Sequence, residues 1–305
     1  MLTAVSRSAL TFLVLVAGAT KSQSAATSFT TFDGAKGLEL TGAATVRGSV
    51  LRLTPAKRSK TGAFWLVEKQ PIVSKFETTF QFQLTHPGLF GGADGLAFVI
   101  QNSGPRALGG RGSAGGFGVA DGTYSHHPGI PWSFAVFFDT WQNSNEGDPS
   151  DNYIAIRSTG RPAEMHWPAE RLAFTPNLAV QLKDQRVHTA RVVYDRPVIE
   201  VFLDDSASPV LKTALDLSLV ADSEGKAWVG FTASTGWGSE NHDILSWSFR
   251  GEAVSSEISV ISSEISFPMS ACLPEHNLCT PEQSFIGGES GKYHVVLPGN
   301  SKWGV

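Results

Sequence analysis

An all-β fold, a sandwich or barrel of short antiparallel strands, is predicted by three observations. Short apolar segments recur from about residue 28 to 249 and are separated by Gly, Pro, Asn and Asp turns. Gly is abundant, at 31 of 305 residues, while charged residues make up only 17 %. No stretch beyond the N-terminus carries apolar residues at helical spacing. A chain of this length holds one large β domain or two ordinary ones.

The strands follow in order. FETTFQFQL, residues 76–84, alternates apolar with polar, as a strand with one wet face does. GLAFVIQ, residues 95–101, and residues 132–138 are continuous apolar runs of the kind a strand covered on both faces requires. Segments 153–157, 187–194, 198–203, 227–233 and 245–249 follow at turn-separated intervals, with 198–203 pairing back on 187–194 through Asp195-Arg196-Pro197. Residues 214–219 read equally as a strand or a helical turn.

The two ends differ from the middle. Arg7 precedes an apolar run, residues 9–17, which ends at the small residues Gly18 and Ala19. That order describes a secretory signal peptide over 1–24, and the run is too short to cross a bilayer core of ~30 Å. The expected product is secreted and not inserted in a membrane. Residues 25–250 form the main domain. SSEIS occurs at 255–259 and again at 262–266, so residues 251–268 read as a Ser-rich linker or a solvated strand. Residues 269–305 are a short extension holding Cys272 and Cys279, which an oxidising compartment permits to pair. A net charge of −4 gives no reason to expect nucleic acid as a partner.

Three loops carry chemistry. In FAVFFDTWQNSNEGD, residues 134–148, an apolar run stops at Asp139, and Asn143 and Asp148 then crowd a loop that also holds Trp141. Calcium takes ~6–8 oxygen ligands from such groups and from backbone carbonyls; an ordinary turn in which Asp and Asn cap their own backbone reads the same way. Asp94 stands in GGADG at the mouth of the 95–101 segment, where a carboxylate can accept hydroxyl hydrogen bonds from a ligand or merely form a turn. ALGGRGSAGGFG, residues 107–118, allows close approach to the backbone, or is a surface loop.

Taken with WVGFTASTGWGSENHDILSWSF, residues 228–249, these segments resemble the legume-type (L-type) lectin family, in particular its secreted bacterial-like branch. ADGLAFVIQN, ALGGRGSAGGFG, FAVFFDTWQN, VHTARVVYD and WVGFTAST with HDILSWSF occur in the family's order over roughly residues 28–250. The resemblance implies a concanavalin A-like β-sandwich, or jelly roll, of two antiparallel sheets with a shallow sugar site built by four loops. It implies that Asp94, after a cis Ala93–Asp94 bond, binds sugar together with the N–H of Gly115, the Asn143 amide and the stacking ring of Trp141. Residues 236–241, with Ser239 and Glu240, match the loop that tunes which sugar fits. Asp139, Trp141 through its carbonyl, Asn143 and Asp148 match the calcium ligands. Phe137 and Tyr153 stand where many plant members bind a transition metal, and neither suits one, so a second metal is in doubt.

The expectation is therefore a secreted, calcium-dependent, non-catalytic lectin with glycans or glycoproteins as partners, free to form a homo-oligomer. Two alternatives stand beside it. A glycoside hydrolase on the same sandwich would need two carboxylates ~5–5.5 Å apart on a cleft floor, and no strand carries acids at that period. A structural or adhesive module would keep the fold and lose Asp94, Trp141 and Asn143.

Overall fold

The computed structural model describes residues 12–17, 21–110, 129–144, 147–159, 170–255, 258–263, 284–287 and 293–296. In chain order the strands are β1 Phe12–Ala17, β2 Lys21–Phe29, β3 Leu38–Gly42, β4 Thr45–Arg47, β5 Val50–Thr54, β6 Lys60–Leu66, β7 Gln70–Pro71, β8 Lys75–Thr85, β9 Gly95–Gln101 and β10 Ser133–Asp139. There follow β11 Tyr153–Ser158, β12 Glu170–Phe174, β13 Val187–Asp195, β14 Val198–Leu203, β15 Leu211–Ala214, β16 Lys226–Thr235, β17 Asn241–Ser255, β18 Ile258–Ser263, β19 Ser284–Gly287 and β20 Tyr293–Val296. The chain divides into a unit of residues 23–253 and a unit of residues 1–22 with 254–305.

The larger unit is the expected all-β sandwich. One sheet runs β12-β11-β10-β9-β16-β6-β3, with β7 beside β16; the other runs β15-β14-β13-β8-β17-β5-β4, with β2 beside β17. Along both sheets neighbouring strands pair antiparallel, from β12-β11 to β6-β3 and from β15-β14 to β5-β4. β8 shows why: Phe76, Thr78, Phe80, Phe82 and Leu84 are buried in strict alternation, so one face seals the core and the other stays wet. β9 and β10 are buried at every position. Leu96, Phe98 and Ile100 face the inter-sheet core, while Ala97 and Val99 join a second cluster with Trp65, Ile130, Phe137 and Tyr153. The outer face of this sheet is thus covered too, which accounts for unbroken apolar runs where β8 alternates.

The core is aromatic. Phe231 meets Phe64, Phe80, Phe98 and Trp247 with ring centroids 4.7–5.5 Å apart. Phe80, Phe82 and Phe138 extend the array toward one end of the sandwich. The undecided segment near 214–219 resolves into both elements, the end of β15 and a 3₁₀ turn over Leu217–Leu219 capped by Asp216.

In the smaller unit β1 pairs antiparallel with β18, and β19 pairs with β20. β1 lies in the stretch expected to be a signal peptide, and the Ser-rich 251–268 segment holds the end of β17 and all of β18. Cys272 and Cys279, and with them the expected pairing, lie outside the described residues.

Phe231→Ala should cost about 3–5 kcal/mol, because a fully enclosed ring leaves a cavity that four aromatic neighbours close only in part. Chemical denaturation measures this; a loss under ~1 kcal/mol would show that the aromatic array is not the centre of the core.

Candidate functional site

Strand register builds the site. Gly95, the first residue of β9, pairs with Asp139 at the end of β10 on one side and with Ser234 near the end of β16 on the other. The three strands therefore release their loops at one sheet end. Asp94 immediately precedes Gly95, Trp141 and Asn143 follow Asp139, and residues 236–240 follow β16. Gly95 has φ of +98°, and a Cβ there would collide with the Phe138 carbonyl oxygen, so this centre of the register takes no side chain.

Asp94 is buried, with its N–H donated to the Ser234 carbonyl at 2.8 Å and its carboxylate accepting from Ser234 Oγ at 3.3 Å. The Ala93–Asp94 bond is cis, as the resemblance implied. Burial pushes the Asp94 carboxyl up to about 6; nearby His242 and the Ser234 hydroxyl pull the other way, and Glu240 adds to the rise. A carboxylate this poorly solvated is an acceptor in want of donors.

The 139–148 loop is held by its own carboxylates. Trp141 N–H donates to Asp139 Oδ1 at 3.0 Å, and Asn143 N–H donates to Asp148 Oδ2 at 2.9 Å. Lys183 Nζ, paired with Asp151, donates to the Thr140 carbonyl at 2.7 Å and pins the main chain between Asp139 and Trp141. Both carboxylates thus cap backbone, as the plain-turn reading required. They do more than cap, because Asp139 and Asp148 are 2 % and 6 % exposed and share one donor, the Tyr153 hydroxyl, at 3.2 and 2.5 Å. Arg157, itself buried, adds its guanidinium 3.4 Å from Asp148. Burial, and next the Asp148 charge, hold the Asp139 carboxyl well above its usual range.

Two buried carboxylates that repel each other beside the Asn143 amide and the Trp141 main chain form a hard-oxygen set. A calcium-like cation fits it and would relieve the repulsion. No group of three or more His, Cys, Asp or Glu side chains suited to a metal occurs among the described residues, so such an ion would complete its shell from amide and main-chain oxygens and water. A transition metal does not fit the other side of the pair. Phe137 offers no donor and lies beneath Arg157, with 5.9 Å from guanidinium to ring centroid. The Tyr153 phenol, raised above its ordinary pKa by burial and then by Asp139, stays protonated.

Residues 236–240 close the site from the third side. Gly238 lies so close under Trp141 that a Cβ would stand 3.0 Å from its ring and 2.7 Å from Ala93 Cβ. Ser239 donates its N–H to the Gly91 carbonyl at 3.0 Å and accepts from Gly88 N–H at 2.6 Å, which ties this loop to the one carrying Asp94. Ser239 and Glu240 are both buried. The Glu240 carboxylate turns inward: it accepts from Thr140 Oγ1 at 2.9 Å and lies 3.5 Å from His242 Nε2, while His242 Nδ1 meets Thr54 Oγ1 at 2.6 Å. The structure therefore brings together Asp94, Trp141, Asn143, Asp139 and Asp148, and sets Glu240 beneath them as a brace between loops. Gly115 lies outside the described residues. The brace of Thr140, Glu240 and His242 escaped the sequence reading, since Thr140 comes from the loop after β10 while Glu240 and His242 flank the start of β17, 100 residues further on.

A two-sheet antiparallel sandwich with acidic, amide and aromatic side chains gathered on loops at one sheet end has the architecture of a lectin. The sequence profile of the legume lectin domain matches residues 24–264, and the chain belongs to that family. It is 29 % identical over 252 residues to the L-type lectin-domain containing receptor kinase VII.1 of Arabidopsis thaliana, covering 75 % of this chain and 35 % of that protein. It is 31 % identical over 195 residues to the seed lectin beta chain of Spatholobus parviflorus, covering 59 % and 72 %. Among solved structures, the lectin from Bauhinia forficata in complex with GalNAc superposes with a TM-score of 0.60 at 23 % identity, over 77 % of this chain and all of that one. The chain spans about a third of the length of the receptor kinase.

Tyr153→Phe removes the one hydroxyl shared by two buried carboxylates. In metal-free buffer it should lower stability by about 1–3 kcal/mol. Added calcium should restore part of the loss, as followed by thermal unfolding. Equal stability of the two proteins would show that the bridge contributes nothing.

Proposed function

We propose that this chain is a secreted, calcium-dependent carbohydrate-binding protein that holds glycans without transforming them. The observation that carries the reading is the register of β9, β10 and β16, which delivers Asp94, Trp141 and Asn143 to one place in a chain of the legume lectin domain family. Asp94 accepts hydrogen bonds from sugar hydroxyls, and charged acceptors make the stronger bonds. The Asn143 amide both accepts and donates, and the half-exposed Trp141 ring offers a face to the C–H side of a pyranose. Asp139, Asp148, Asn143 and the Trp141 carbonyl would hold calcium, which supplies the positive charge that fixes this loop. Gly115 is proposed to add an N–H donor.

Catalysis is disfavoured by how the acids are used. Hydrolysis needs carboxylates that reach a substrate. Asp139 and Asp148 are buried and committed to Tyr153, Arg157 and main-chain N–H groups, and Glu240 is committed to Thr140. His188, the other buried histidine with polar partners, lies between Asp184 and Asp204 at 3.1 and 3.0 Å, an arrangement without a nucleophile. Shallow sites of this kind gain strength from multivalency, so glycoproteins and oligosaccharides are the proposed partners, and assembly of several copies would raise avidity.

A glycan array with and without chelator tests the reading. Binding should need calcium, and Asp94→Ala should weaken it at least about tenfold; binding indifferent to both would sink the mechanism.

Asp94→Asn separates function from stability. The folded-state pKa of about 6 lies above the ordinary 3.8, so the ionised carboxylate costs stability above about pH 6. That cost falls as pH drops through 6 and vanishes near 3.8. In metal-free buffer at pH 7 the Asn variant should be more stable by on the order of 1–2 kcal/mol, with the gain gone near pH 4, while glycan binding is lost. Denaturant titrations across that range measure the difference; a variant less stable at pH 7 than at pH 4, relative to the parent, would refute the assignment.

A further inference from the structure

Next to the site lies a surface that the reading above leaves unused. Leu89, Phe90 and Trp237 are 94 %, 54 % and 70 % exposed, a concentration of bare apolar side chains on two neighbouring loops. Phe90 and Trp237 meet edge to face, at 6.4 Å and 85°. The Arg58 guanidinium sits 4.2 Å above the Trp237 ring and 5.7 Å from that of Phe90. Hydrogen bonds set these segments side by side: Ser59 N–H donates to the Gly236 carbonyl at 3.3 Å, the Thr235 hydroxyl to the Lys57 carbonyl at 2.6 Å, and Ser239 N–H to the Gly91 carbonyl.

The surface is continuous with the sugar site. Trp237 is bonded directly to Gly238, the residue packed against Trp141 and Ala93. A ligand seated on Trp141 and Asp94 that extends past Gly238 would meet Trp237 and Phe90. Its chemistry follows from Arg58. A guanidinium held over a ring by cation–π attraction keeps N–H donors for a further partner, and its fork of donors matches a carboxylate or sulfate through paired hydrogen bonds. Among the described residues Arg58 has no acidic partner, and its contacts are the two rings. Lys57, also exposed, adds positive charge in the same segment. The acids nearest the site, Asp94 and Glu240, are buried below it.

We infer that Arg58, Phe90 and Trp237 form an extension of the sugar site that takes an anionic sugar, one bearing a carboxylate or a sulfate ester, as the next residue of the bound glycan. The inference rests on the carbohydrate-binding reading. The aromatic pair packs against the ring, and Arg58 grips the anionic oxygens from the side.

Matched oligosaccharides, identical except that the second residue is neutral, a uronate or a sulfated sugar, test it on an array and by titration calorimetry. The parent should bind the uronate or the sulfated member about three- to tenfold more tightly than the neutral one, a modest factor because the surface is exposed. The margin should shrink toward parity at ~1 M salt. Arg58→Ala should remove the preference and leave binding of the neutral member within about twofold, and Arg58→Lys should keep only part of the margin. Neutral glycans bound with no acidic preference, or a preference that survives Arg58→Ala, would overturn the extension alone. Failure to bind any glycan would overturn the carbohydrate reading, and the extension with it.

Discussion

The antiparallel register that sets Gly95 between Asp139 and Ser234 is the constraint on which the rest of this molecule depends. A slip of one residue along β9 would exchange the face of every side chain in that strand. Leu96, Phe98 and Ile100 would leave the inter-sheet core, and Asp94 would lose its place beside the β10 loop. Core and site are thus specified by one alignment. The aromatic array around Phe231 fixes which face is inward, and the inward face fixes where each strand ends.

What the register delivers is a concentration of buried charge, which a fold tolerates only when each group finds partners. Among the described residues, Asp139 and Asp148 are satisfied by Tyr153, Arg157 and two main-chain N–H groups, Glu240 by Thr140, and Asp94 by Ser234. The acid proposed to meet the ligand, Asp94, is held by a long side-chain hydrogen bond, 3.3 Å from Ser234 Oγ. His242 Nε2 is without a hydrogen bond, held 3.5 Å from Glu240. The site is therefore polarised in depth: a braced lower layer, and above it an acceptor whose ionised form is costly until donors arrive.

The strands of the inner core were legible in the sequence because their burial is written in period. β8 alternates, and its segment 76–84 was found within a residue at each end; β9 was found over its whole length. β3, β4, β5, β6 and β12 are not legible in this way. β3 and β4 are only partly buried along their described positions, so their apolar pattern is diluted, and β6 carries Gly62 and Ala63 in a run that is buried on both sides. The loops behaved oppositely. Asp94, Asp139, Trp141, Asn143 and Asp148 stand in compact motifs and were named from them, whereas Glu240 was named for its place in a loop and proves to face inward, where only the positions of Thr140, Gly92 and His242 could have aimed it.

Tyr153 shows how a single substitution pattern carries through to chemistry. From sequence alone, Phe137 and Tyr153 could be judged only by what they lack, a ligand for a transition metal. In the fold the phenol does positive work, since one hydroxyl serves two buried carboxylates whose other charged neighbours are the guanidinium groups of Arg157 and, at 3.9 Å from Asp148, Arg171. A phenolic hydrogen bond and a guanidinium thereby supply part of the charge compensation that a bound cation would supply. A hard cation of the kind proposed would meet the pair beside Asn143 and Trp141, whose main-chain N–H groups cap the two carboxylates. The calcium requirement proposed for binding would then belong to the ligand-facing loop, and the body of the sandwich would stand without it.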